Sequence, residues 1–190
     1  MNQSIYFETV DDYNKFNNHE TLHPLVSVID FSKAHKRTGS KMYFNLYCIF
    51  LKDVKCGDLK YGRATYDYQE GTLVFVSPGQ VVDVENKVDI YQPLGHGLVF
   101  HPDLIKGTPL AKSISDYGFF DYQTNEALHL SKKEQQMVWK CSLIFYLNLI
   151  DLWINTARKL LPPTSNFFSV IVNVSTTASL LRGKTSIKEH

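Results

Sequence analysis

The chain has 190 residues, 44% hydrophobic and 21% charged, which gives room for one domain with a sizeable core and excludes a disordered polymer. A formal net charge of +1 gives no overall pull toward nucleic acid or acidic lipid and argues against DNA binding by the whole chain. Cys48, Cys56 and Cys141 are odd in number and lack CxxC or zinc-ligand spacing, and MNQSIYFETVDDYN has no secretory pattern, so isolated thiols in a reducing cytoplasm are expected.

Residues 1–24 mix polar, acidic and aromatic side chains and end in His23-Pro24, which reads as an irregular arm. LVSVIDF, residues 25–31, alternates as a strand does. SKAHKRTGSK, residues 32–41, is a solvated connection, too short and too poor in aromatics for a nucleic-acid patch. MYFNLYCIFLK, residues 42–52, is almost continuously apolar and predicts one strand buried on both faces. After the turn DVKCGD, residues 61–80 predict a hairpin that ends at Pro78-Gly79. A further strand pair is expected over residues 81–100, with turns at Asn86-Lys87 and Pro93-Leu94-Gly95.

At His101-Pro102-Asp103 the pattern changes. Asp103 or Thr108 can cap a short helix with Pro109 at an early position, and Leu110, Ile114 and Tyr117 share one face. Ser131 and Glu134 form a capping-box pattern before a helix whose apolar positions include Val138 and Cys141. The expected fold is mainly β, α+β overall: a jelly-roll β-barrel over residues 25–100 followed by helices over 101–141.

A barrel enzyme of the cupin kind needs an HxH with a nearby carboxylate and a second His, because three or four donors must converge on a metal; residues 43–60 contain no His. His96 and His101 are five apart, on opposite faces of a regular strand, and His101 in HPD reads as a turn cap. His19, His23 and His35 fall in connections, and His129 leads into the capping box. GxSxG, a glycine-rich phosphate loop and HExxH are all missing, so no catalytic residue, metal or cofactor is expected. The 11 Tyr and 12 Phe can wall an apolar ligand pocket, with Tyr47, Tyr66 and Phe75 as candidates, though core packing would use the same rings.

YGRATYDYQEGTLVFVSPGQVV, GHGLVFHPDLIKGTPL and GFFDYQTNEALHLSKKE, all within residues 61–134, carry a specific resemblance. From about residue 17 to about 141 the chain resembles the N-terminal effector-sensing and dimerisation domain of bacterial-type AraC (AraC/XylS) transcription regulators. The resemblance implies a cupin-like barrel that takes a small-molecule effector or only pairs, in the cytoplasm. It also implies a homodimer through the helix starting at Ser131, with Met137, Val138 and Cys141 as contacts. Such regulators read DNA with C-terminal helix-turn-helix units that this chain lacks, so it is expected to bind no DNA alone. The alternatives are a cupin enzyme and a carrier or interaction protein on the same barrel.

The resemblance stops at Ser142. Residues 142–183 contain a single acidic residue, Asp151, and their longest apolar run, 143–147, is too short and interrupted for a membrane span. VNVSTTASLLRG, residues 172–183, can be written in permitted codons that, read from the third nucleotide, spell KRFYDRQFITR, like the segment joining sensor to DNA-binding domain in that family. Residues 142–190 are therefore expected to be a frameshifted tail, poorly ordered or docked only by its apolar residues, with a divergent native tail as the alternative. If folded, the tail extends the Ser131 helix to about Leu161, where Pro162-Pro163 stops it.

Overall fold

The computed structural model describes residues 4–52, 59–61, 64–66, 71–84, 90–120 and 128–156. In chain order these form β1 (Ser4–Phe7), α1 (Val10–Phe16), β2 (Val26–Asp30), β3 (Lys41–Phe44), β4 (Tyr47–Lys52), β5 (Leu59–Tyr61), β6 (Ala64–Tyr66), β7 (Thr72–Val76), β8 (Gln80–Val84), β9 (Gly95–Phe100), α2 (Pro109–Ser113), β10 (Leu128–His129) and α3 (Lys132–Thr156). The protein is mainly β. Two five-stranded sheets run β1-β3-β8-β5-β6 and β10-β7-β4-β9-β2. Among the described residues no ladder joins them, so facing sheets stand where a closed barrel was expected.

Alternation within the second sheet sets the layers. Cys48, Phe50, Val74, Val76 and Val99 face Met42, Phe44, Val82 and Val84 of the first sheet, and this apolar layer lies between the sheets. The alternate positions, among them Ile49, Leu51, Leu73, Phe75, Leu98 and Phe100, meet the helical segments on the other side. Strands covered on both faces read as continuous apolar runs, which is why β4 and β7 look unbroken in sequence.

Several expected elements are arranged differently. In place of the expected irregular arm, residues 4–16 hold β1, which pairs parallel with β3, and α1, which Thr9 caps in a capping box with Asp12. Residues 42–52 are two strands, because the chain crosses between the sheets at Asn45-Leu46. There the Asn45 N–H donates to the Phe7 carbonyl at 2.9 Å and Leu46 is fully buried. Within 61–80, β6 pairs with β5, whereas β7 pairs with β4. Pro78-Gly79 does make a turn, with Gly79 at φ +84° and the Gln80 N–H on the Ser77 carbonyl, but the turn hands the chain from one sheet to the other. β8 and β9 do not pair either; β8 lies between β3 and β5, and β9 between β4 and β2. The expected turns at DVKCGD and Asn86-Lys87, the connection before Gly71 and Pro162-Pro163 lie outside the described residues.

His101 caps its turn as expected, Nδ1 accepting from the Asp103 N–H at 3.2 Å, and Thr108 caps α2. Leu110 and Ile114 are buried under the second sheet. His23 is buried too, and its Nδ1 accepts from the Leu25 N–H at 3.1 Å. Burial holds its imidazole below the ordinary value of 6.5. A lowered folded-state pKa means that the unfolded chain binds the extra proton, so His23 contributes stability above pH 6.5 that is lost as the pH falls below it. Urea titrations of wild type and His23→Gln over that range are expected to differ in acid slope, and equal slopes would remove His23 from the account.

Candidate functional site

α1 touches both β1 and β2, the edge strands of the two sheets, and so covers the interior layer along that side. It begins with reciprocal bonds: the Thr9 N–H donates to Asp12 Oδ2 at 2.9 Å and the Asp12 N–H to Thr9 Oγ1 at 3.1 Å. It ends at Asn17, followed by Asn18 in the left-handed region at φ 57°, a conformation Asn tolerates better than most residues. The following loop folds back, Asn14 Nδ2 donating to Thr21 Oγ1 at 2.9 Å and Thr21 Oγ1 to Asp11 Oδ1 at 2.7 Å.

This arrangement buries a polar cluster. Asn14 and Asn17 are fully buried, and Tyr13 packs edge-on to Phe7 with its ring among those of the interior layer. Arg37 reaches the same place from another direction, held by a two-way backbone bridge to Tyr91. Its guanidinium lies over the Phe16 ring, 4.5 Å from the centroid, and Nη1 donates to Asn17 Oδ1 at 3.1 Å. No carboxylate pairs with it among the described residues. Arg37 Nε and Asn14 Oδ1 are both buried without a protein hydrogen-bond partner there.

Such groups cost about 1–3 kcal/mol each when unsatisfied, so each calls for a polar partner such as a buried water or a bound polar molecule. Burial pushes the Tyr13 hydroxyl far above its ordinary range, with the neighbouring Cys48 thiol raising it further and Arg37 opposing. Burial likewise pushes the Cys48 thiol up. Both stay neutral near pH 7, which leaves Arg37 as the charged member. The cluster can therefore donate to and accept from hydroxyls, and can take a carboxylate on Arg37.

The residues expected to wall a pocket lie elsewhere. Tyr47 stacks on Phe100 at 5.1 Å and meets Phe120 edge-on, and Phe75 stacks on Phe119 at 5.3 Å. Both belong to the face under the helical segments, not to the space between the sheets, and act there as core. Burial raises the Tyr47 hydroxyl. The Tyr66 side chain lies outside the described residues.

Neither a protein-family model nor a curated protein matches the chain.

α3 is the second candidate surface. Its capping box forms as expected, the Ser131 N–H donating to Glu134 Oε2 at 2.7 Å and the Glu134 N–H to Ser131 Oγ at 3.4 Å. Gly71 lets the helix start approach: at φ +84° it bonds Lys52 and Leu130 through its backbone, and a Cβ there would collide with the Gln135 amide and the Leu130 carbonyl. Gly71→Ala is expected to lose about 1–3 kcal/mol of unfolding free energy, measured by urea denaturation.

The three expected dimer contacts divide. Met137 is 44% exposed, Cys141 is half-buried against the core, and Val138 at 4% exposed packs into the protein's own core and is unavailable to a partner. The exposed stripe continues instead through Ile144 at 48% and Leu147 at 54%, beyond the expected boundary at Ser142. α3 crosses that boundary without a break. Ser142 Oγ donates to the Val138 carbonyl at 2.9 Å, and Tyr146 and Leu149 are buried against the second sheet. Residues 157–190, with the frame-shifted match at 172–183, lie outside the described residues.

Among the described residues no three His, Cys, Asp or Glu side chains converge as metal ligands. None of their helices is long and apolar enough to cross a membrane.

Proposed function

We propose that this chain is an effector-sensing and pairing module of the AraC-type kind, with a cupin-like jelly-roll core and no catalytic activity. The observation that carries the reading is the polar cluster under α1, where Arg37 Nε and Asn14 Oδ1 are buried without protein partners beside an apolar interior layer. Buried polar groups are rarely left unsatisfied unless they serve something, and their chemistry suits a small hydroxylated or carboxylated effector. The exposed apolar stripe of α3 supports the pairing half, since contiguous exposed apolar side chains mark interaction surfaces. The motifs at residues 61–134 agree with both halves. A mobility-shift assay of this chain at physiological salt is expected to show no specific complex.

A thermal-shift series tests the sensing half. Ribose, glucose and succinate are added in turn to the full chain and to Arg37→Met. A rise in Tm with at least one of them, absent in Arg37→Met, is the expected result. No shift, or the same shift in both proteins, would count against it.

A further inference from the structure

The hydrogen bonds of the cluster under α1 run in one direction, and that direction limits what the cluster can receive. Bonds from Lys15 and Thr21 hold the Asp11 carboxyl below its ordinary value of 3.8, so it is ionised near pH 7 and only accepts. The Thr21 hydroxyl therefore gives its proton to Asp11 Oδ1, at 2.7 Å, and accepts from Asn14 Nδ2 at 2.9 Å. Turning the Asn14 amide over would set its oxygen against the Thr21 oxygen with no proton between them. Asn17 is fixed in the same way. Its Nδ2 donates to the Tyr13 carbonyl at 2.8 Å, and its Oδ1 accepts from Arg37 Nη1, a group that can only donate.

This polarity leaves two buried atoms open: Asn14 Oδ1, an acceptor, and Arg37 Nε, a donor. Asn14 is fully buried, and Asn17, which Arg37 holds, lies three residues further along on the same side of α1. An occupant that meets both atoms must give a hydrogen bond to one and take a hydrogen bond from the other. An alcohol hydroxyl does both, and so does a primary carboxamide. A carboxylate suits Arg37 alone: it has no proton for Asn14 and sets its charge against the amide oxygen. We propose that the cluster selects a neutral hydroxyl or carboxamide group over a carboxylate, with Asn14 as the residue that decides. The selectivity rests on the sensing role proposed above.

Butanediol with its hydroxyls at the chain ends, succinamide and succinate share one carbon skeleton and differ in this property. Each is titrated into the full chain and followed by NMR through the side-chain amide signals of Asn14 and Asn17. At least one neutral compound is expected to bind about ten-fold or more tighter than succinate, because a carboxylate leaves the buried Asn14 Oδ1 unsatisfied. The tighter of the two neutral compounds identifies the group, and Arg37→Met should abolish the response. Asp11→Asn tests the relay at a half-exposed residue. An amide there can donate to Thr21 as well as accept, which lets the Thr21 proton turn to Asn14, so the preference over succinate should shrink about three-fold or more. Succinate binding as tightly as both neutral compounds, a preference unchanged in Asp11→Asn, or a response kept in Arg37→Met would overturn the selectivity. The first two results would leave the sensing role standing. A response to none of the three would mean that water alone fills the place, and would remove both.

Discussion

Replacing Phe50 with Ala is expected to cost about 3–5 kcal/mol of unfolding free energy, the range for emptying a large aromatic site in a core that collapses only partly. Phe50 sits in the layer between the sheets, with Phe31 at 5.7 Å, Tyr13 at 6.0 Å and Phe44 at 6.1 Å between ring centroids. Gly97 lies so close that a Cβ there would stand 2.9 Å from the Phe50 ring. Lost burial and a residual cavity therefore add. Tyr6→Ala is the control: its ring stacks on Tyr43 but is largely exposed, and the change should stay within about 0.5 kcal/mol. Urea denaturation of both variants measures the contrast, and a Phe50→Ala cost as small as that of Tyr6→Ala would mean that the layer is not packed as described.

The second large effect concerns pairing. Ile144→Glu combined with Leu147→Glu is expected to weaken the proposed dimer at least about 100-fold, equivalent to about 2.7 kcal/mol, because two charges replace apolar area that a partner would bury. Both positions are exposed, so the unfolding midpoint should move little. Val138→Glu behaves differently: it places an unpaired charge in the protein's own core and should unfold the chain. Sedimentation equilibrium separates these outcomes. A wild-type chain that stays monomeric at high concentration, or a double variant that pairs as wild type does, would remove the stripe from the account.

Local grammar in the sequence carries through to the structure where one short segment determines it. Ser131 with Glu134, Thr108 before Pro109, and Pro78-Gly79 form the caps and the turn that their side chains and backbones favour. Long-range placement is another matter. A run such as MYFNLYCIFLK is apolar on both faces whether it is one strand or two, and only Asn45 within it hints at the crossing between sheets. Threonine followed three residues later by aspartate, at Thr9 and Asp12, was an available signal for α1, masked by the polar composition around it. Met137 and Val138 are adjacent, yet about 100° of helix rotation separates an exposed residue from a core residue, and the phase is set by which face meets the sheet.

The cluster under α1 was least legible of all. Asn14, Asn17, Arg37 and Tyr91 come from three separate segments, and nothing in the polarity of two asparagines announces that they will be buried. His96 and Trp139 were likewise unlinked in sequence, since a strand and a helix must dock before the two rings can stack.

Hydrogen exchange over α1 is the most direct test that this cluster receives an effector. The backbone amides of Tyr13 to Asn17, together with that of Arg37, are followed in the full chain alone and with ribose, glucose and succinate present. Slower exchange confined to these amides with at least one compound, and abolished in Arg37→Met, is the predicted result. Exchange unchanged by every compound, or slowed elsewhere while α1 is unaffected, would contradict the account.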